Sequence, residues 1–311
     1  MASEEATIEI TDLYKTYHIG FFRKRVEAVR GISFHVKRGE IFGFIGPNGA
    51  GKTSTIKAIL RLIFPTRGSI RLFGMPNSDC RARLRLGYLP ENPYIYQYLK
   101  PLEFLELCGR LTEMAAEKRR QRSRLLIERL SLADAVDRPI GRFSKGMLQR
   151  LGLAQALLHE PELLILDEPF SGLDPIGRKD VRDVLLEHRN QGKTLLFTSH
   201  TLSDVEMLCD RVAIVKQGRL SALGALDDLL EPKERRVEVE LSEVSPQLRE
   251  QLASIGVNIQ GHERELTLVL QGDEMLPSVI ETAMKNGARV IGIRPHRDTL
   301  EDLFLRQAAS G

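Results

Sequence analysis

Gly46-Pro47-Asn48-Gly49-Ala50-Gly51-Lys52-Thr53 fills every specified position of the pattern G-x-x-x-x-G-K-[ST]. Its flanks fit the pattern as well. The apolar run Ile41–Ile45 predicts a buried strand before it, and Ser54–Ile63 predicts a helix after it. Glycines let the backbone turn tightly and approach an anion with no Cβ in the way. Successive N–H groups and the start of the following helix then point at phosphates. Lys52 brings a positive charge for the outer phosphates, and Thr53 a hydroxyl for Mg²⁺. Residues 1–220 as a whole alternate strand-like and helix-like stretches, the pattern of an α/β domain with parallel strands.

Downstream, Leu163-Leu164-Ile165-Leu166 runs into Asp167-Glu168. A buried strand ending in acids puts them at the crevice where α/β sheets bind ligands. Acids also follow strands in many ordinary loops, so the pair gains meaning only beside the phosphate loop. Asp167 is then expected to hold Mg²⁺ opposite Thr53, and Glu168 to polarise the attacking water or take its proton. A third apolar run, Thr194–Thr198, predicts another buried strand. Ile8–Leu13 and Gly31–Val36 predict antiparallel strands near the N-terminus.

Composition narrows the function classes. Hydrophobic residues make up 42% and charged residues 28% of the 311, which suits a globular chain with a sizeable core. Forty-five Lys+Arg against 42 Asp+Glu leave a net charge of +3, so no nucleic-acid partner is demanded. No apolar run approaches the roughly 18 residues of a membrane span. Met1–Glu9 has no apolar segment of the kind a signal peptide needs. Cys80, Cys108 and Cys209 are scattered, against a disulfide framework or a structural zinc site. The basic residues Lys118, Arg119, Arg120, Arg122 and Arg124 are expected on a solvated helix face.

Phe143-Ser144-Lys145-Gly146-Met147-Leu148-Gln149-Arg150 resembles the LSGGQ signature of ATP-binding cassette (ABC) proteins with its following Q-R pair. Ser144 and Gly146 match it, whereas Phe143, Lys145 and Met147 depart. Ser171-Gly172-Leu173-Asp174 resembles the family's D-loop, and His200 its switch histidine. Tyr17 resembles the aromatic that stacks on adenine, with Tyr14 a nearby competitor. Glu91 stands where the family usually has glutamine, after Leu86-Gly87-Tyr88-Leu89-Pro90. The resemblance spans residues 6–225.

The resemblance implies a P-loop nucleotide-binding domain with an antiparallel β-subdomain and a helical insertion, using ATP and Mg²⁺. It implies Glu168, His200 and Lys52 as catalytic residues. ATP would be held by Tyr17, Gly46, Pro47, Asn48, Gly49, Ala50, Gly51, Lys52, Thr53 and Ser54, with Ser144 and Gly146 serving the partner's nucleotide. Thr53, Asp167 and Glu91 would hold the metal. The implied partners are a second cassette, with a homodimer expected, and integral membrane permease subunits. The expected location is the cytoplasmic face of the inner membrane. Tyr94, Tyr96 and Tyr98 lie where such a permease would dock, or they pack internally.

The cassette is expected over 6–231, with its helical insertion near 95–150. After the charged break Glu231-Pro232-Lys233-Glu234 the pattern restarts. Val237, Val239 and Leu241 alternate with acids, and the elements over 235–311 follow a βαββαβ order, the ferredoxin-like α+β unit. Thr299-Leu300-Glu301-Asp302-Leu303-Phe304 resembles the closing motif of a C-terminal domain on exporter cassettes that serve ABC-2-type permeases. Export is therefore preferred over import and over a soluble role on ribosomes or nucleic acid. The C-terminal unit is expected to support dimer contact.

Overall fold

The computed structural model describes residues 6–20, 24–230, 236–254, 258–261, 265–272, 274–295, 299–301 and 303. The chain divides into two units, Met1–Leu226 and Asp227–Gly311. In the first unit, β1 (Ala6–Ile19) pairs antiparallel with β2 (Lys24–Lys37), with Ile8 opposite Val36 and Leu13 opposite Ile32. All four side chains are fully buried. Both strands outrun the expected Ile8–Leu13 and Gly31–Val36, because the backbone ladder continues where the apolar alternation fades. The extension sets Tyr17 opposite Val26.

β3 (Ile41–Ile45) is buried along its whole length, as a strand covered on both faces must be. α1 (Lys52–Ile59) follows the glycine-rich loop. It begins earlier and ends sooner than the expected Ser54–Ile63, because Arg61 takes a left-handed φ of 58° and turns the chain away. β4 (Arg67–Leu72) and β5 (Met75–Pro76) complete a sheet of order β2-β1-β4-β5. α2 (Cys80–Arg83) then leads to β6 (Leu86–Leu89).

Two helices, α3 (Pro101–Leu111) and α4 (Ala116–Arg129), precede α5 (Lys145–Leu157). The basic run on α4 is not wholly solvated as expected. Arg119 is buried, with Nη2 2.6 Å from Glu106 Oε1, and joins α4 to α3. Gly109 makes the room, since a Cβ there would lie 2.3 Å from Arg119 Cδ. Lys118 and Arg122 both pair with Glu160.

β7 (Leu163–Asp167), α6 (Pro175–Asn190), β8 (Thr194–Ser199), α7 (Leu202–Leu208), β9 (Arg211–Lys216), β10 (Arg219–Ala225) and α8 (Leu226–Leu230) follow. The second sheet has the order β10-β9-β3-β8-β7-β6 and is parallel except for β10. Parallel strands share one carboxyl edge. Ile45 lies level with Ser199, and Asp167 with Thr198. One core joins Phe42, Phe44, Ile165 and Leu196 of this sheet to Ile56 and Ile59 of α1 and to Ile8 and Ile32 of the first sheet. Each such side chain contributes about 1.5–3 kcal/mol on full burial, so the loop between β3 and α1 is anchored at both ends.

The second unit contains β11 (Arg236–Ser242), α9 (Pro246–Ser254), β12 (Asn258–Gln260), β13 (Glu265–Gln271), α10 (Leu276–Lys285) and β14 (Arg289–Pro295). Its sheet is antiparallel with the order β12-β13-β11-β14, the ferredoxin-like arrangement. Val239 and Leu241 pack with Leu248 and Leu252 of α9 and with Val279 and Ala283 of α10. Leu300 is fully buried and so is closed to a partner. The break at 231–234, Val257 and most of the closing helix expected over 299–307, including Phe304, lie outside the described residues. Among the described residues no helix is long and apolar enough to cross a membrane.

Candidate active site

The carboxyl edge of the parallel sheet opens onto a cavity of about 540 Å³. The loop after β3 supplies Asn48 to Ser54, β7 leads into Asp167 and Glu168, and His200 follows β8. Glu91, just past β6, completes the acidic side. Strand register thus gathers residues that stand far apart in the chain.

Close backbone packing fixes the loop. A Cβ on Gly46 would lie 2.2 Å from the Val215 carbonyl oxygen, and one on Gly51 2.4 Å from that of Ala28. Gly51 also needs its φ of 105°, which is open to glycine and strained for other residues. Lys52 is 7% exposed, and its Nζ donates to the carbonyl oxygens of Gly46 at 2.6 Å and Pro47 at 3.2 Å. Burial pulls its ammonium below the usual lysine range, against the opposing field of Glu168, Asp167 and Glu91. The loop lysine and the three acids therefore share one electrostatic environment.

Asp167 is buried at the end of β7 and accepts two hydroxyl bonds. Thr53 Oγ1 donates to its Oδ2 at 3.3 Å, and Thr198 Oγ1 to its Oδ1 at 2.7 Å. Glu168 takes a left-handed φ of 54°. A non-glycine residue held there costs about 1–3 kcal/mol, and such strain gathers at functional sites. Its N–H donates to Thr198 Oγ1 at 3.0 Å, and its carbonyl accepts from Gln149 Nε2 at 3.1 Å. Its carboxylate Oε2 lies 2.8 Å from His200 Nδ1. A carboxylate only accepts, so Nδ1 carries the hydrogen, and Nε2 can donate to a further oxygen only in the imidazolium form.

The donors on the acidic side are all oxygens, the ligand type Mg²⁺ takes. Thr53 and Asp167 offer hard oxygens within one hydrogen bond of each other, and Glu91 lines the same cavity. Among the described residues no cluster of three or more His, Cys, Asp or Glu forms a protein cage for a metal. A sparse oxygen set suits an ion that keeps waters and phosphate oxygens as its other ligands, so these residues fit Mg²⁺.

Tyr17 does not line the cavity itself, but its hydroxyl bonds Ser54 Oγ at 3.3 Å and its cross-strand partner Val26 does line it. Tyr14 packs elsewhere, beneath Arg67 and against Gly31. Ser144 and Gly146 are not brought to the cavity. Ser144 caps α5 by accepting the Met147 N–H at 3.2 Å and is exposed. Gly146 packs against the Gly172 carbonyl, and Lys145 Nζ bonds Ser171 Oγ at 3.0 Å.

The sequence motifs did not point to Val26, Glu27 and Ala28 on the cavity wall, nor to Thr198 and Gln149 around Glu168. Thr198 lay within a quoted strand and Gln149 within a quoted motif, yet neither carries a signal of its own without the tertiary contact.

The ABC transporter family matches residues 29–171. An uncharacterized ABC transporter ATP-binding protein of Nostoc sp. is 42% identical, over 97% of this chain and 90% of its own length. The bacitracin transport ATP-binding protein of Bacillus licheniformis is 35% identical over 98% of both chains. A daunorubicin resistance ATP-binding protein of Streptomyces coeruleorubidus is 35% identical over 90% of both. The solved structure of an ATP binding subunit of an ABC transporter matches 72% of this chain and 91% of its own, with a TM-score of 0.65 and 34% identity. With the loop, the acid pair and the histidine on one cavity and such relatives over nearly its whole length, the chain belongs to the ABC transporter family as an ATP-binding, ATP-hydrolysing subunit.

Proposed function

We propose that this subunit drives export through separate membrane permease subunits, two copies working as a pair on the cytoplasmic face of the membrane. The observation that carries the reading is the convergence of Lys52, Thr53, Asp167, Glu168 and His200 on one cavity. Export is supported by the bacitracin transport and daunorubicin resistance relatives, matched over 98% and 90% of the chain. A nucleic-acid role finds less support, because Lys118, Arg119 and Arg122 are engaged in ion pairs. Purification from native membranes tests the reading. A polytopic membrane protein is expected to accompany the chain, and ribosomal proteins in its place would overturn it.

In this reading the loop N–H groups and Lys52 hold the outer phosphates of ATP. Thr53, Asp167 and Glu91 would hold Mg²⁺, which when bound neutralises phosphate charge. Glu168 takes the proton of the attacking water, and His200 orients its carboxylate. Ser144 and Gly146 would meet the nucleotide of a second copy, a role that the exposure of Ser144 supports.

Two predictions follow from the margins of the site. Tyr17→Ala is expected to weaken ATP roughly tenfold while leaving free tripolyphosphate unchanged, since base stacking is worth ~1–3 kcal/mol and acts on the base alone. Calorimetric titration of both ligands decides, and equal weakening would remove Tyr17 from the adenine platform. Glu91→Gln is expected to keep turnover but shift its Mg²⁺ dependence. Glu91→Ala is expected to lower turnover by about tenfold, and ATP affinity less. A parental Mg²⁺ and turnover profile for Glu91→Ala would make the residue a surface acid.

A further inference from the structure

We propose that Gln149 and Thr198 are positioning residues that hold the Glu168 peptide in its left-handed conformation and thereby aim its carboxylate at the attacking water. The proposal rests on the catalytic reading of Glu168. At φ 54°, an L-residue sits outside its preferred backbone region and persists there only if its surroundings hold it. Both polar atoms of the residue's backbone are gripped. Thr198 Oγ1, from β8, accepts the N–H at 3.0 Å, and Gln149 Nε2, from α5, donates to the carbonyl at 3.1 Å. The Ser171 N–H also donates to that carbonyl at 3.1 Å, as a local turn would supply by itself, whereas the two side-chain grips come from different elements and hold the peptides on either side of the Glu168 Cα.

Burial makes the grip firm. Thr198 is 0% exposed and Gln149 1%. The Thr198 hydroxyl also donates to Asp167 Oδ1 at 2.7 Å, so one oxygen sets the spacing of both acids. Gln149 is the more telling residue. Its Oε1 is buried with no hydrogen-bond partner among the described residues. For stability alone, an apolar side chain of that size would serve better than a half-satisfied amide. What the amide supplies is the bond to Glu168. Gln149 lies on α5, which Ser144 caps, so the helix runs from its exposed N-terminus to the backbone of Glu168.

The test is a set of double-mutant cycles on the full-length chain, read by steady-state ATPase kinetics and equilibrium ATP binding. Gln149→Met and Thr198→Val are each made in the parent and in Glu168→Gln. In the parent, each is expected to lower kcat by about 10–100-fold, the scale of a small misplacement of a reacting group. ATP affinity is expected to stay within about twofold, because the change acts on the transition state. Thr198→Ser, which keeps the hydroxyl, is expected to restore kcat. In Glu168→Gln neither substitution should lower the residual rate further, because the group they aim is already gone.

Undiminished kcat in Gln149→Met and Thr198→Val overturns the proposal. So does an equal loss in both backgrounds, or a loss carried by ATP affinity. Thermal melting checks folding, and if Gln149→Met does not fold, the Thr198→Val and Thr198→Ser pair decides. A near-parental rate in Glu168→Gln alone would overturn the catalytic reading of Glu168. A slow Glu168→Gln with parental Gln149→Met and Thr198→Val would overturn only the positioning.

Discussion

Glu168→Gln is expected to slow ATP hydrolysis by about 10²–10⁴-fold while ATP still binds, the range for losing a general base. The substitution preserves shape. Glutamine's oxygen can still accept from His200 Nδ1, now 2.8 Å from the carboxylate, and the backbone grips of Thr198 and Gln149 do not involve the side chain. What disappears is the proton acceptor and one negative charge. Glu27, Glu91, Asp167 and Glu168 all line the cavity and repel phosphates. Removing one of them leaves ATP affinity equal or tighter, so the loss falls on kcat. The ATP-bound pair can no longer discharge, and the variant is expected to sediment as a dimer with ATP. Phosphate release at saturating Mg²⁺ and ATP, with sedimentation in parallel, checks both. Near-parental turnover would remove Glu168 from the chemistry.

The parts of this site legible in the sequence are those in which local pattern and chemistry coincide. The phosphate loop, the acids after an apolar strand and His200 after another are each set by their immediate neighbours. Strand register alone then brings them together, as the pairing of Asp167 with Thr198 and of Ile45 with Ser199 shows. Other features are tertiary. β6 is four residues long and includes Gly87, which is needed because a Cβ there would lie 2.2 Å from the Ala156 carbonyl. The expected helix after the loop was too long at its end because nothing in Leu60-Arg61-Leu62 announces the left-handed turn at Arg61. Arg119 read as solvated because charge suggests exposure, and only the Glu106 pairing across two helices shows it buried. The grips on Glu168 were hidden for the same reason. An amide on α5 and a hydroxyl on β8 acquire their meaning from a peptide they touch across the fold.

Lys52→Ala is expected to weaken ATP by roughly 10–100-fold, as loss of a charge-assisted bond worth ~1.5–3 kcal/mol requires. Two effects add. Among the described residues lining the cavity, Lys52 is the one lysine or arginine, set against four acids, so its removal leaves phosphates facing a negative wall. The same ammonium ties the loop together through the Gly46 and Pro47 carbonyls, so the N–H groups that would face the phosphates lose their internal brace. Burial already disfavours the charged ammonium, and the acids hold it in place, so a bound triphosphate adds to an interaction the site has prepared. The effect is therefore graded by phosphate number. ATP should lose most, ADP less, and AMP little, because Lys52 is assigned to the outer phosphates. Lys52→Met, which keeps the side chain's bulk, separates the terms. If charge dominates, it behaves as Lys52→Ala does, and if filling the loop dominates, it recovers much of the affinity. Calorimetric titration of the three nucleotides against both variants makes the comparison, and equal weakening of ATP and AMP would show that the loop had collapsed and that the charge had no specific partner.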